Sequence, residues 1–148
     1  MTVDSRSKPR DTPPAMPLSE RLRRGDVLTP LCPSREILSH LTSRWGVLVL
    51  IALLDGTQRF SQLRRKIGGV SERMLAQTLQ LLEGDGMVER HAYEVVPPHV
   101  EYALTPLGKE AATKVRELAD WVEAHYAEVL DRQGAFALEK RRQAASHE

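Results

Sequence analysis

Between Ser71 and Gly84 one stretch of chain places Glu72, Arg73, Ala76, Gln77 and Gln80 on one face of an expected α-helix, with Leu75, Leu79 and Leu82 recurring on the other. The first set is the chemistry that reads base pairs. Arginine forks onto the guanine edge, glutamine pairs with adenine, and alanine leaves room for a thymine methyl; Glu72 argues against phosphate and can accept from cytosine. The helix limits are legible: Ser71 is a good N-cap, and the Gly84, Asp85, Gly86 cluster ends the run. An ordinary amphipathic surface helix has the same pattern, so the choice between the two rests on the neighbouring elements.

A second chemistry is that of a thiol. Cys32, the only cysteine, stands before Pro33 and Ser34 at the start of an expected helix from Ser34 to Leu41, where the helix dipole favours a thiolate and Arg35 is close in sequence. It is either an oxidant or electrophile sensor or a small buried apolar residue. With one cysteine there is no intramolecular disulfide framework, so an oxidised form is a Cys32–Cys32 bridge between subunits, a mixed disulfide or a sulfenic acid. Little else suggests reaction chemistry. The chain has five histidines and no glycine-rich phosphate loop, and His91 and His99 fall on opposite strands rather than at metal-ligand spacing on one helix, so no enzyme, metal or cofactor is expected.

The elements that would position the reading face support it. Phe60, Leu63 and Ile67 give a short helix its apolar stripe, Gly68 and Gly69 make the turn into the next helix, and Arg64, Arg65 and Lys66 lie off the stripe. From Arg59 to Arg73 there are five basic side chains and one acidic, a local charge of +4, for which phosphate is the natural partner. Beyond Gly86, MVERHAYEV and HVEYALT read as a hairpin with Val100, Tyr102 and Leu104 inward and Glu101 and Ala103 outward. Its tip, Val96 to His99, carries a stiffening proline pair, with Arg90 and His91 nearby; Arg90 is a backbone contact or a solvated strand charge. This order, mostly α with a small β-hairpin wing, is a winged helix-turn-helix.

On these residues the chain resembles the HxlR-type regulators, a branch of the MarR-like winged-helix proteins. The resemblance rests on Cys32 and Pro33, on Arg44 and Trp45, and on Arg59, Phe60 and Leu63. It continues through Ser71, Leu75, Leu79, Leu82, Glu83, Gly86, Val88 and Arg90 to Pro97, Val100, Glu101, Tyr102, Leu104, Thr105 and Gly108, about two thirds of the chain with collinear spacing. The resemblance implies a dimeric bacterial DNA-binding protein that acts as a local repressor or activator, in some members through a reactive cysteine at this place. His99 departs from the pattern, standing where the family often has arginine or lysine, which weakens the expected wing-tip contact. The expected partners are double-stranded DNA and a second copy of the chain. Residues expected at the DNA are Arg59, Arg64, Arg65, Ser71, Glu72, Arg73, Gln77, Gln80, Arg90 and His99.

The chain of 148 residues, 41% hydrophobic and 28% charged, suits one modest core, and its net charge of +1 hides an uneven distribution. From Arg116 to Asp131 one base faces five acids, a local −4 that would point away from DNA. Residues 1–30, with Pro9, Pro13, Pro14 and Pro17, read as a mostly disordered arm whose Arg21, Arg23 and Arg24 are solvated or touch DNA or a partner subunit. The domain is expected over 31–131 and a tail over 132–148. A helix from Pro106, capped by Thr105, to about Asp131 carries Leu107, Ala111, Val115, Leu118, Val122, His125 and Val129 on one stripe. That is more apolar surface than a winged core needs, so Leu118, Trp121, Val122, His125 and Tyr126, together with the helix from Ser34 to Leu41, are the candidate dimer interface, the alternative for the aromatics being packing within one subunit. An apolar effector between domain and dimer helices, or a winged helix serving as a protein-interaction module, is a further reading. The longest apolar run, Val47 to Leu54, is too short to span a bilayer, and with no export signal the chain reads as cytoplasmic.

Overall fold

The computed structural model describes residues 16–24 and 33–147, in two compact units divided after Glu36. In the first unit, α1 (Leu18–Arg23) follows Pro17. Glu20 there pairs with Arg23 at 2.6 Å and Arg24 at 3.2 Å, one turn away. The arm expected to be mostly disordered contains this helical turn, for which such i,i+3 and i,i+4 pairs supply a few tenths of a kcal/mol each, about 0.2–0.5.

The rest is built on α3 (Arg44–Leu53), which follows α2 (Pro33–Leu41). Its sequence RWGVLVLIAL is apolar nearly all round, and a helix of that kind belongs inside: Val49, Leu50, Ala52 and Leu53 are buried. Ser43 starts it, its hydroxyl accepting from the Gly46 amide at 3.1 Å. Around α3 pack Leu63 of α4 (Phe60–Ile67), Leu75, Leu79 and Leu82 of α5 (Glu72–Gly84), and Tyr102 and Leu104 of a sheet. Ala112 and Val115 of α6 (Pro106–Ala145) complete the core.

The sheet has three antiparallel strands in the order β1-β3-β2: β1 (Gln58–Arg59), β2 (Val88–Tyr93) and β3 (His99–Leu104). Val88 faces Leu104 and Tyr93 faces His99, the hairpin the alternation foretells. The two-residue β1 is an addition. It pairs Gln58 with Tyr102 and Arg59 with Glu101, making β3 the central strand, and two residues are too few for any periodicity to announce.

α6 starts as expected and ends much later. Thr105 accepts from the Gly108 amide at 2.9 Å and donates to the Gly86 carbonyl at 2.6 Å, fixing the helix start to the turn before β2. The helix then runs 40 residues to Ala145, through the segment expected as a tail. Gly134 costs a helix interior only about 1 kcal/mol relative to alanine, and the Ala, Leu, Glu, Lys and Arg around it favour helix. The buried stripe is also shifted: Leu107 is 53% exposed, while Gly108 and Ala112 pack inward. Gly108 is required there because a Cβ would lie 1.9 Å from the Met87 carbonyl oxygen. Among the described residues no single helix is long and apolar enough to cross a membrane.

Candidate nucleic-acid interface

α4, the turn and α5 form the helix-turn-helix. Gly68 and Gly69 have φ of +69° and +72°, backbone that L side chains rarely adopt, and this reverses the chain in two residues. Ser71 then caps α5, its hydroxyl accepting from the Met74 amide at 3.1 Å. Leu75, Leu79 and Leu82 are buried, which leaves Glu72, Arg73, Ala76, Gln77 and Gln80 exposed together on the outer face, as the spacing requires. Thr78 is buried as well; its hydroxyl donates to the Met74 carbonyl at 2.8 Å, so this polar side chain needs no outside partner.

The basic residues divide into held and free. Arg64 crosses the turn, Nε donating to the Val70 carbonyl at 3.3 Å and Nη1 to Glu72 Oε1 at 3.0 Å. It ties α4 to the first turn of α5, and Glu72, expected to face a base, faces this guanidinium. Lys66 pairs with Asp55, whose carboxyl is held below its ordinary value by that hydrogen bond and by the lysine charge. Among the described residues Arg59, Arg65, Arg73 and Arg90 make no ion pair. Arg65 lies on the rim of an open depression that Arg64, Ser71 and Glu72 also line. Farther along α5, Arg90 of β2 shares a groove with Ala76, Gln80 and Glu83, so strand and helix meet at one surface.

The wing departs from expectation. His99 is not at the tip but opens β3, its ring stacked on Tyr93 at 4.9 Å and its Nε2 3.4 Å from Glu101. His91 is likewise beside Glu89, at 3.3 Å. Because β2 and β3 are in register, Glu89, His91, Tyr93, His99 and Glu101 share one face of the hairpin, and the carboxylates make it a poor surface for phosphate.

Away from this face, α6 exposes Leu118, Trp121, Val122 and Tyr126 at 57%, 54%, 46% and 57%. The His125 Nδ1–H donates to the Trp121 carbonyl at 2.7 Å and its ring stacks on the indole at 4.4 Å, so the pair forms one rigid surface. An apolar groove of about 380 Å³ beside them is lined by Val47, Val115, Leu118 and Val122. One contact left no local signal in the sequence: His40, at the end of α2, bonds the Asp85 carboxylate that follows α5, at 2.6 Å and largely out of solvent. Cys32 lies outside the described residues. No cluster among the described residues could hold a metal ion.

A family model described as HxlR-like helix-turn-helix matches residues 40–129. The HTH-type transcriptional regulator YtfH of Escherichia coli K12 is 64% identical over 113 residues, covering 76% of this chain and 90% of the relative. Among solved structures, the transcriptional regulator ytfH of Salmonella typhimurium is 63% identical with a TM-score of 0.69, covering 71% of this chain and 94% of that one. Redox regulator HypR in its oxidised form is 35% identical with a TM-score of 0.58, covering 63% of this chain and 96% of that one.

Proposed function

The chain belongs to the HxlR-like helix-turn-helix family of transcriptional regulators, and from that premise we propose that it binds a short pseudo-palindromic DNA operator as a homodimer. The observation that carries this reading is the exposed face of α5, where Arg73, Gln77 and Gln80 face outward together with no large aromatic among them, while Arg65 lies on the depression lined by Ser71 and Glu72 at the start of the same helix. α5 enters the major groove; Arg73 and the glutamines meet base edges while Arg59 and Arg65 meet phosphate. Arg90 touches the backbone beside Gln80. Two such helices in a dimer engage successive major grooves, about 34–36 Å apart, and Leu118, Trp121, Val122, His125 and Tyr126 supply the contact between subunits.

Selection of bound fragments from random DNA, at low salt, tests the reading. An enriched sequence with two-fold symmetry is the expected result; no enrichment, or a protein that sediments as a monomer at micromolar concentration, overturns it. A redox response through Cys32 is supported by the likeness to redox regulator HypR and by the absence of another thiol. DNA binding is then expected to change on oxidation, to recover with reductant, and to be insensitive in Cys32→Ser. An oxidant response that persists in Cys32→Ser removes the cysteine from the mechanism and leaves DNA binding intact.

A further inference from the structure

α6 is about 60 Å long at 1.5 Å per residue, and only its first three turns are buried by their own subunit, through Gly108, Ala112 and Val115. The same face continues outward. Val115, Val122, Val129 and Phe136 recur every seven residues, with Leu118 and Tyr126 beside them, and all of these beyond Val115 are 40–64% exposed. A sustained seven-residue repeat is the pattern by which one helix seats against another. Most helical stability in proteins comes from packing such a face rather than from propensity, so a projecting arm of this length needs an occupant.

Charge identifies it. Residues 116–131 carry one base and five acids, whereas residues 132–142 carry Arg132, Lys140, Arg141 and Arg142 against Glu139. Paired helices lie about 8–10 Å apart, within about one Debye length at physiological salt. Two copies of α6 side by side in parallel would set acid against acid and base against base. In antiparallel they set each basic block along the other's acidic block, with the crossing at the boundary between blocks, near Leu130.

We propose that residues 116–145 of α6 pair antiparallel with the same helix of a second copy, centred near Leu130, so that each C-terminal segment runs along the acidic stretch of the other subunit. This rests on the dimeric reading above and adds its direction and register. It gives a structural role to residues 132–145, which lie beyond the stretch the family model matches.

Single cysteines in a Cys32→Ser background test it in the full chain. Val129→Cys, the seam residue next to the proposed crossing, places two thiols beside the symmetry axis, and oxidation is expected to give a covalent dimer quickly. Leu118→Cys places them about 36 Å apart at 1.5 Å per residue and is expected to give none. Both variants cross-linking indicates parallel helices; Leu118→Cys alone doing so moves the crossing back toward the winged body. Either overturns the proposal while leaving the dimer. Sedimentation separates the two failures, since a monomeric Cys32→Ser protein removes the dimer itself and this pairing with it. As a second readout, reversing the basic block with Lys140→Glu, Arg141→Glu and Arg142→Glu is expected to raise the dimer dissociation constant at least tenfold at low salt, and the loss should shrink as salt rises. Unchanged dimerisation in that triple variant overturns the charge-set register.

Discussion

Arg64 and Arg73 sit nine positions apart on the same basic surface, yet the structure gives them different tasks. Arg73 is exposed in the first turn of α5 and makes no ion pair among the described residues; Arg64 is engaged with Glu72 and the Val70 carbonyl. Arg73→Ala is therefore expected to cost about 1–3 kcal/mol on the preferred site and to relax one base position, measured by titrating site variants. Glu72→Gln should release Arg64 toward phosphate and tighten specific and random DNA alike. Unequal gains on the two DNAs would mean that Glu72 itself reads a base. His99→Ala should leave DNA affinity unchanged, because its ring is committed to Tyr93 and Glu101. Asp55 gives a pH dependence: with its pKa lowered by Lys66, the pair contributes above the ordinary carboxylate value of 3.8 and is lost as pH falls through the lowered one. Asp55→Asn should accordingly remove a small part of the acid limb in a stability-versus-pH series.

At the scale of elements, the reading helix depends on its two ends. Ser71→Ala removes the acceptor for the Met74 amide and should cost about 1 kcal/mol of stability. His40→Ala takes away the partner of Asp85 at the other end, at a similar cost of about 0.5–1.5 kcal/mol; urea denaturation measures both. If Asp85→Asn restores nothing in His40→Ala and costs nothing alone, the contact has no energetic weight. These two ends also mark how far the sequence was legible. The cap at Ser71 is a local signal, three residues from its donor, and the Leu75, Leu79, Leu82 stripe declares its buried face by spacing alone. His40 and Asp85 are 45 residues apart, and Arg64 meets Glu72 only because two left-handed glycines fold the turn, so neither contact has a signature in one dimension. The helix end expected near Asp131 differs from the observed one at Ala145 for another reason: Gly134 lies within a run of good helix formers and is an interruption too weak to stop α6.

The second unit carries both a basic α4–α5 surface and a long, exposed helix with an acidic middle. DNA affinity should fall steeply with salt, with a slope near −0.9 per phosphate contact. Arg65→Ala is expected to reduce that slope by about 1 without changing which sequence is preferred. A salt-independent affinity would place the binding energy elsewhere than in the α4–α5 surface.

Gly108 has a bearing on which DNA sites a protein of this shape can choose between. α6 leaves the winged body directly against the Met87 carbonyl, where even a methyl group does not fit, so its angle of departure is set by backbone against backbone. In a dimer joined through α6, that angle governs how far apart the two α5 helices stand. Reading a different base is then a matter of Arg73, Gln77 and Gln80, whereas accepting a different gap between half-sites is a matter of the joint at Gly108 and Met87. Laboratory evolution toward a longer or shorter operator should accordingly collect its substitutions at that joint and leave the reading face as it is.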